Sequence, residues 1–222
     1  MSFIVKNTTF PGLLDLIAPH SCRGCGHTGD ILCNRCKNNI ILDHFNYPPK
    51  LELPKSFPPT FIVGDRTGLI NTLIHDFKYG STRVLAHHFA EILHQILPAT
   101  PNPTILVPLP TISRHIRKRG LDHTVLITKH LAKLRHHKIQ KILVRNQESV
   151  QVGANRKTRL IQAHNAYSIN HKFKIDPNTT YILFDDVWTT GASMKAAVKK
   201  LRQSGAQNII VTLLAISRLD QN

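Results

Sequence analysis

The chain has 222 residues, enough for one good-sized core or for a main domain with a small appendage, and too few for two full domains without crowding. Its 41% hydrophobic content is that of a folded protein and excludes wholesale disorder. Twenty-nine Lys and Arg against 13 Asp and Glu give a formal charge of +16, which fits a polyanionic partner such as nucleic acid as well as a generally basic proteome.

Taken in chain order, "MSFIVKNTTF" has no basic region followed by an uninterrupted apolar one. No apolar run approaches the roughly 20 residues that cross a bilayer, so the expected location is the cytoplasm. "PGLLDLIAP", Pro11 to Pro19, reads as a short amphipathic turn or helix bounded by prolines, suited to packing on the body of the protein or lying on a membrane surface.

All four cysteines then fall in "CRGCGHTGDILCNRC": Cys22 and Cys25 make one C-x2-C, and Cys33 and Cys36 make another. Two such knuckles can present four sulfurs to one tetrahedral zinc ion. Gly24 and Gly26 suit the turn of the first knuckle, and Arg23, Arg35 and Lys37 would offset the negative charge of a zinc tetrathiolate. The gap between the knuckles is short for a zinc ribbon, and a pair of redox dithiols is the competing reading. His20 and His27 flank the cluster and are alternative ligands.

"NYPPKLELPKSFPPTF" is too rich in proline for a helix or a central strand and reads as a linker. Residues 1–45 are accordingly expected to form a zinc-finger region, 46–64 a linker and 65–222 the main domain. Between Thr67 and Leu97 the apolar residues Leu69, Leu73 and Phe77, then Leu85, Phe89, Leu93 and Leu97, keep helical spacing on either side of Gly80, which predicts two helices joined there. "TILVPL" predicts a strand, "GLDHTVLITKHLAKL" a helix, "KILVR" a second strand, "AYSI" a weak third and "YILFDD" a fourth. "SMKAAVKKLRQSG" predicts a helix with Ser193 as its N-cap and Gly205 past its end, and "NIIVTLLAI" a fifth strand. Continuous apolar strands alternating with amphipathic helices define an α/β fold with a mostly parallel sheet covered on both faces.

The densest chemistry lies in "YILFDDVWTTGAS", Tyr181 to Ser193. Ligands of parallel sheets bind beyond the carboxyl ends of the strands. Thr189, Thr190, Gly191, Ala192 and Ser193 offer hydroxyls and free N–H groups at the start of a helix, an arrangement that grips phosphate. Asp185 and Asp186 would repel that phosphate unless they hold something else; ribose hydroxyls, which are donors, fit acceptor-only carboxylates.

"LFDDVWTTGAS" resembles the signature of type I phosphoribosyltransferases. The cysteine cluster, "LIHDFKYGS", "VPLP", "RKRG", the Gln151 to Arg159 spacing and the DD-TTG loop resemble, in that order, the ComF competence family from about Cys22 to the end of the chain. The resemblance implies a phosphoribosyltransferase fold and a ribose grip at Asp185 and Asp186. It further implies phosphoribosyl pyrophosphate bound with Mg2+, and Arg117, Lys118 and Arg119 neutralising the pyrophosphate. It also implies a lid in Asn146 to Asn165 that closes Gln151, Arg156, Lys157 and Arg159 onto the ligand.

The family's role implies single-stranded DNA as partner during natural transformation, with Phe77, Tyr79 and Trp188 as candidate stacking residues. Other competence proteins and a second copy of the chain are further partners. A salvage transferase acting on a free base and a ligand-sensing regulator of duplex DNA are the alternatives. The chain departs from the family pattern at Leu121, Asp122 and His123, where Phe-Asn-Gln is usual, and at Gln162 and Tyr167.

Overall fold

A computed structural model describes residues 20–80, 82–146 and 166–218. The Pro11 to Pro19 segment, Gln162 and the four residues assigned to a lid lie outside that range. In chain order the elements are α1 (Asn34–Asn46), β1 (Thr60–Asp65), α2 (Gly68–Tyr79), α3 (Leu85–Ile96), β2 (Thr104–Pro108), α4 (Ser113–Arg119) and α5 (His123–Arg135). They continue with β3 (Lys138–Ile139), β4 (Leu143–Arg145), β5 (Tyr167–Ile169), β6 (Thr180–Trp188), α6 (Ala192–Gln203) and β7 (Asn208–Ile216).

Five strands form one sheet in the order β1-β7-β6-β2-β3, with every pairing parallel. Successive side chains point to opposite faces of a strand. Val63, Leu106, Ile182, Phe184 and Leu214 therefore join the buried residues of α1, α2, α3 and α5 on one face. Their neighbours Ile62, Val107, Leu183, Val211 and Leu213 join α6 and the β4–β5 pair on the other. The expected fold class, an α/β parallel sheet with a four-cysteine cluster at its N-terminal end, is the one observed.

Three local expectations are corrected. "KILVR" does not enter the main sheet: Leu143–Arg145 pairs antiparallel with Tyr167–Ile169, and the parallel neighbour of β2 is the two-residue β3, too short to leave a periodic signal. The strand expected to end at Asp186 runs on to Trp188, because Val187 and Trp188 pair with Ala215 and Ile216. Ser193 is not an N-cap. The cap is Gly191, left-handed at φ 73°, and the helix has already begun at Ala192.

Residues 47–59 contain no helix or strand, but the Pro-rich stretch is not isolated, since Leu51, Leu53 and Phe57 pack against the α6 face of the sheet. Cys22, Ile31, Leu32, Cys36 and Ile40 belong to the same apolar cluster as Leu73, Phe77 and Phe89. Two ion pairs and a hydrogen bond fasten that contact: Arg23 with Asp76 at 2.6 Å, Lys37 with Glu91 at 2.6 Å, and His88 Nε2 with Asp30 Oδ1 at 3.0 Å.

Candidate functional site

The four cysteine sulfurs all lie within 4.8 Å of one another, and Cys25 Sγ stands 3.7 Å from Cys33 Sγ. A tetrahedral zinc ion with Zn–S bonds of about 2.3 Å spaces its sulfurs about 3.8 Å apart, so the donor set fits that metal. Neither His20 nor His27 joins the group. The geometry depends on two glycines for different reasons. Gly26 turns the knuckle at φ +76°, whereas a Cβ on Gly24 would lie 2.7 Å from Cys36 Sγ.

Burial raises the Cys22 thiol, but N–H groups including those of Gly24 and Cys33 (3.4 Å each) outweigh it and bring the thiol down to about 6. Cys36 is pushed up to about 12 by burial and by its three neighbouring thiols. Four such thiols held together without a cation would be mutually repulsive on ionisation, and a divalent ion removes the conflict.

The second site lies at the carboxyl end of β6, the middle strand of the sheet. Asp185 and Asp186 lie among the last four residues of the strand itself and are half-buried. Burial and then the neighbouring Asp186 carboxylate push Asp185 up to about 8; the Asp186 N–H donates to its Oδ1 at 2.9 Å, and Lys78 and Arg145 pull the other way. Lys78 Nζ is 2.6 Å from Asp186 Oδ2. On the far side Arg145 Nη1 donates to the buried Tyr167 hydroxyl at 3.1 Å, and Tyr167 also hydrogen-bonds Ser193.

Downstream, Trp188 is buried beneath the turn and Gly191 lies directly on it. A Cβ at Gly191 would fall 2.0 Å from the indole, so both the space and the positive φ require glycine. Thr189, Thr190 and Ala192 are exposed at the start of α6, where N–H groups lack helical acceptors. The Ala192 N–H reaches Thr190 Oγ1 at 3.4 Å. Lys195 stands 5.7 Å above the Trp188 ring, which places a cation beside the same turn.

The segment carrying Arg117, Lys118 and Arg119 is the helix α4, and Gly120 ends it at φ 68°. Lys118 and Arg119 line a cleft of about 250 Å³ together with Lys78, Tyr79, Arg83 and His123; Arg117 is exposed outside that lining. Arg119 lies over the Tyr79 ring at 5.1 Å and donates to its hydroxyl at 3.3 Å. His123 is buried and its Nε2–H donates to the Phe77 carbonyl at 2.8 Å; burial lowers its pKa.

Asp122 caps α5: its Oδ1 accepts from Thr124 at 2.8 Å, Thr111 at 3.2 Å and the Val125 N–H at 3.3 Å. The departures at 122 and 123 are thus built into the packing of this chain. Of the three aromatic residues proposed to stack on bases, Phe77 and Trp188 are buried in the two apolar clusters and only Tyr79 is exposed.

Lys78 and Arg145 are the site residues that the sequence alone does not reveal. Lys78 lies inside "LIHDFKYGS", where nothing local marks it as the partner of a distant acid. Arg145 follows a short strand and carries no local signal.

The fold and site together define a parallel α/β protein with a four-cysteine cluster, an acid pair at a strand end and a small-residue loop opening a helix. No family model matches the chain, and no curated protein matches it. Among solved structures, a hypoxanthine phosphoribosyltransferase from Staphylococcus aureus is similar at 14% identity, over 68% of this chain and 74% of that one, with a TM-score of 0.36.

Proposed function

We propose that this protein binds phosphoribosyl pyrophosphate as a phosphoribosyltransferase-like member of the ComF competence family, and that it handles single-stranded DNA in the cytoplasm during natural transformation. The observation that carries the ligand reading is the order of groups at the end of β6. Two carboxylates are followed within five residues by a glycine-turned, hydroxyl-rich helix start, and a basic cleft opens beside them.

Asp185 and Asp186 accept the ribose hydroxyls. The first turn of α6, with Thr189, Thr190 and Ser193, takes the 5′-phosphate. Lys78, Lys118 and Arg119 face the pyrophosphate, where cations stabilise the charge that builds as it leaves. Asp186 is already paired with Lys78, so a Mg2+ ion here is one carried in with the ligand's phosphates and not caged by the protein. Such an ion supplies further charge neutralisation to the leaving group. The net charge of +16 and the exposed Tyr79–Arg119 stack support the DNA partner.

Calorimetry with phosphoribosyl pyrophosphate and Mg2+ tests the ligand. Because the acids lie within β6 and Asp186 pairs with Lys78, Asp185→Asn with Asp186→Asn removes both charges while keeping side chains of the same size and an acceptor for Lys78. It is expected to weaken binding more than about 100-fold with unchanged circular dichroism, given the usual cost of unpairing buried polar groups. Unchanged affinity would refute the site. A strain carrying the same variant should take DNA into its envelope and fail to transform, and normal transformation would remove the biological half of the proposal.

A further inference from the structure

The β4–β5 pair stands apart from the main sheet, yet it reaches the first turn of α6 through one row of polar groups. Arg145 and Tyr167 are opposite one another in the antiparallel register, so their side chains leave the pair on the same face. Two further bonds pin that register: the Asn146 N–H donates to the Ala166 carbonyl at 3.0 Å, and Ser168 Oγ donates to Asn146 Oδ1 at 2.9 Å. Tyr167 is 2% exposed and packs in the same apolar cluster as Met194 and Ala197 of α6. Its hydroxyl is thereby carried to the start of that helix, where it meets Ser193. Position 167 departs from the ComF pattern, so the family resemblance says nothing of this hydroxyl.

The chemistry of the three groups gives the row a direction. A guanidinium only donates, so Arg145 Nη1–H, at 3.1 Å, occupies a lone pair of the Tyr167 oxygen. Burial pushes the Tyr167 phenol up, so it keeps its proton, and Ser193 Oγ is the acceptor beside it. A serine oxygen that accepts in this way has its own proton left to give to a third group. Ser193 is half-buried at the second residue of α6, next to the exposed Ala192, whose N–H reaches the Thr190 hydroxyl. Each bond in such a row polarises the next, so the positive charge of Arg145 is felt at the Ser193 proton. A group that only accepts, such as a phosphate dianion, is the partner that this end of the row fits.

We infer that Tyr167 is a positioning residue for the phosphate turn: it accepts a hydrogen bond from Arg145, donates one to Ser193 and so aims the Ser193 hydroxyl at a bound 5′-phosphate. This role rests on the reading of the α6 start as the 5′-phosphate site. Lys118 and Arg119, in the separate basic cleft, take no part in it.

The test is calorimetry of the zinc-loaded full chain with two probes, phosphoribosyl pyrophosphate and inorganic pyrophosphate, each with Mg2+. Tyr167→Phe keeps the ring and removes only the hydroxyl. It is expected to weaken phosphoribosyl pyrophosphate about tenfold, the scale of a hydrogen bond to a charged group, and to leave pyrophosphate within about twofold. Ser193→Ala should cost about the same, and the double variant little more than either, because both changes interrupt one row. Arg145→Met removes the donor at the head of the row and should weaken phosphoribosyl pyrophosphate at least as much, which keeps the row testable should Tyr167→Phe not fold.

Wild-type affinity for phosphoribosyl pyrophosphate in Tyr167→Phe or in Arg145→Met overturns the inference and leaves the site reading in place. So do additive losses in the double variant, and so does an equal loss of pyrophosphate, which marks a general loosening of the fold. No binding of phosphoribosyl pyrophosphate by the wild type overturns the site reading itself, and this role with it.

Discussion

The cysteine cluster and the acid pair are both sets of mutually repulsive ionisable groups, but they are assembled in opposite ways. The four cysteines come from 15 consecutive residues, and the nearest restraints on them are local: N–H groups of Gly24 and Cys33 on Cys22 Sγ, and the turn at Gly26. Around Asp185 and Asp186 the balancing groups come from far along the chain, Lys78 from the end of α2 and Arg145 from the end of β4. In the first site, an external cation held by the four sulfurs would relieve the repulsion. The second has its cations built in.

The largest effect expected from that contrast is on metal removal. Two of the cysteines are buried in the same cluster as α2 and α3, so losing the ion loosens that face of the core as well as the knuckle. Structural zinc contributes about 10 kcal/mol or more in small zinc-binding peptides, comparable with the whole stability of an ordinary domain. Chelation, or Cys36→Ser, is therefore expected to lower the melting temperature by at least about 10 °C. A chain that melts at the same temperature with and without zinc would break the comparison at its first term.

The same contrast explains what was legible in the sequence. The cysteine spacing and the DD-TTG loop are contiguous strings, and the chemistry they carry depends on neighbours in the chain. The apolar runs of β2, β6 and β7 were equally readable because each is buried on both faces. Lys78, Arg145 and the Asp122 cap depend on which elements meet in space, and no local pattern encodes that. Trp188 shows the reverse error. Read as a free aromatic beside a loop, it is the floor on which Gly191 rests, because β6 runs two residues further than its acids suggested.

Gly191→Ala probes that floor. The left-handed φ and the 2.0 Å approach to the indole together make a side chain costly, and strain of this kind is worth about 1–3 kcal/mol. Chemical denaturation should show a loss in that range, together with weaker phosphoribosyl pyrophosphate binding as the helix start shifts. Full stability in the variant would mean that the turn is adaptable and the loop is not pre-formed.

Asp185→Asn is expected to act more gently and with the opposite sign. The folded chain raises this carboxyl from its ordinary value of 3.8 to about 8, so the fold favours its protonated form. Its contribution to stability is complete below about pH 4 and is lost as pH rises toward 8. Asparagine stays neutral and its amide oxygen still accepts from the Asp186 N–H. The variant should therefore match wild type near pH 4 and melt about 2–4 °C higher at pH 8, the scale of a 1 kcal/mol gain in a chain of this size. A gain that is constant across pH would show that repulsion between the acids is not its source.

The smallest effect is expected at Asp122→Asn, which replaces the capping carboxylate with its neutral amide. Asparagine caps helices about as well as aspartate, and its side-chain oxygen can accept from Thr111, Thr124 and Val125 as the carboxylate does, so stability should stay within about 0.5 kcal/mol. The change still removes a negative charge next to Leu121 and His123, two residues of the basic cleft. If that cleft holds pyrophosphate, affinity should rise about twofold at low salt and the gain should fade as salt is added, since screening shortens the reach of a partly exposed charge. A loss of affinity instead would mean that the carboxylate itself orients the ligand, and the acid at 122 would then belong to the site and not only to the cap.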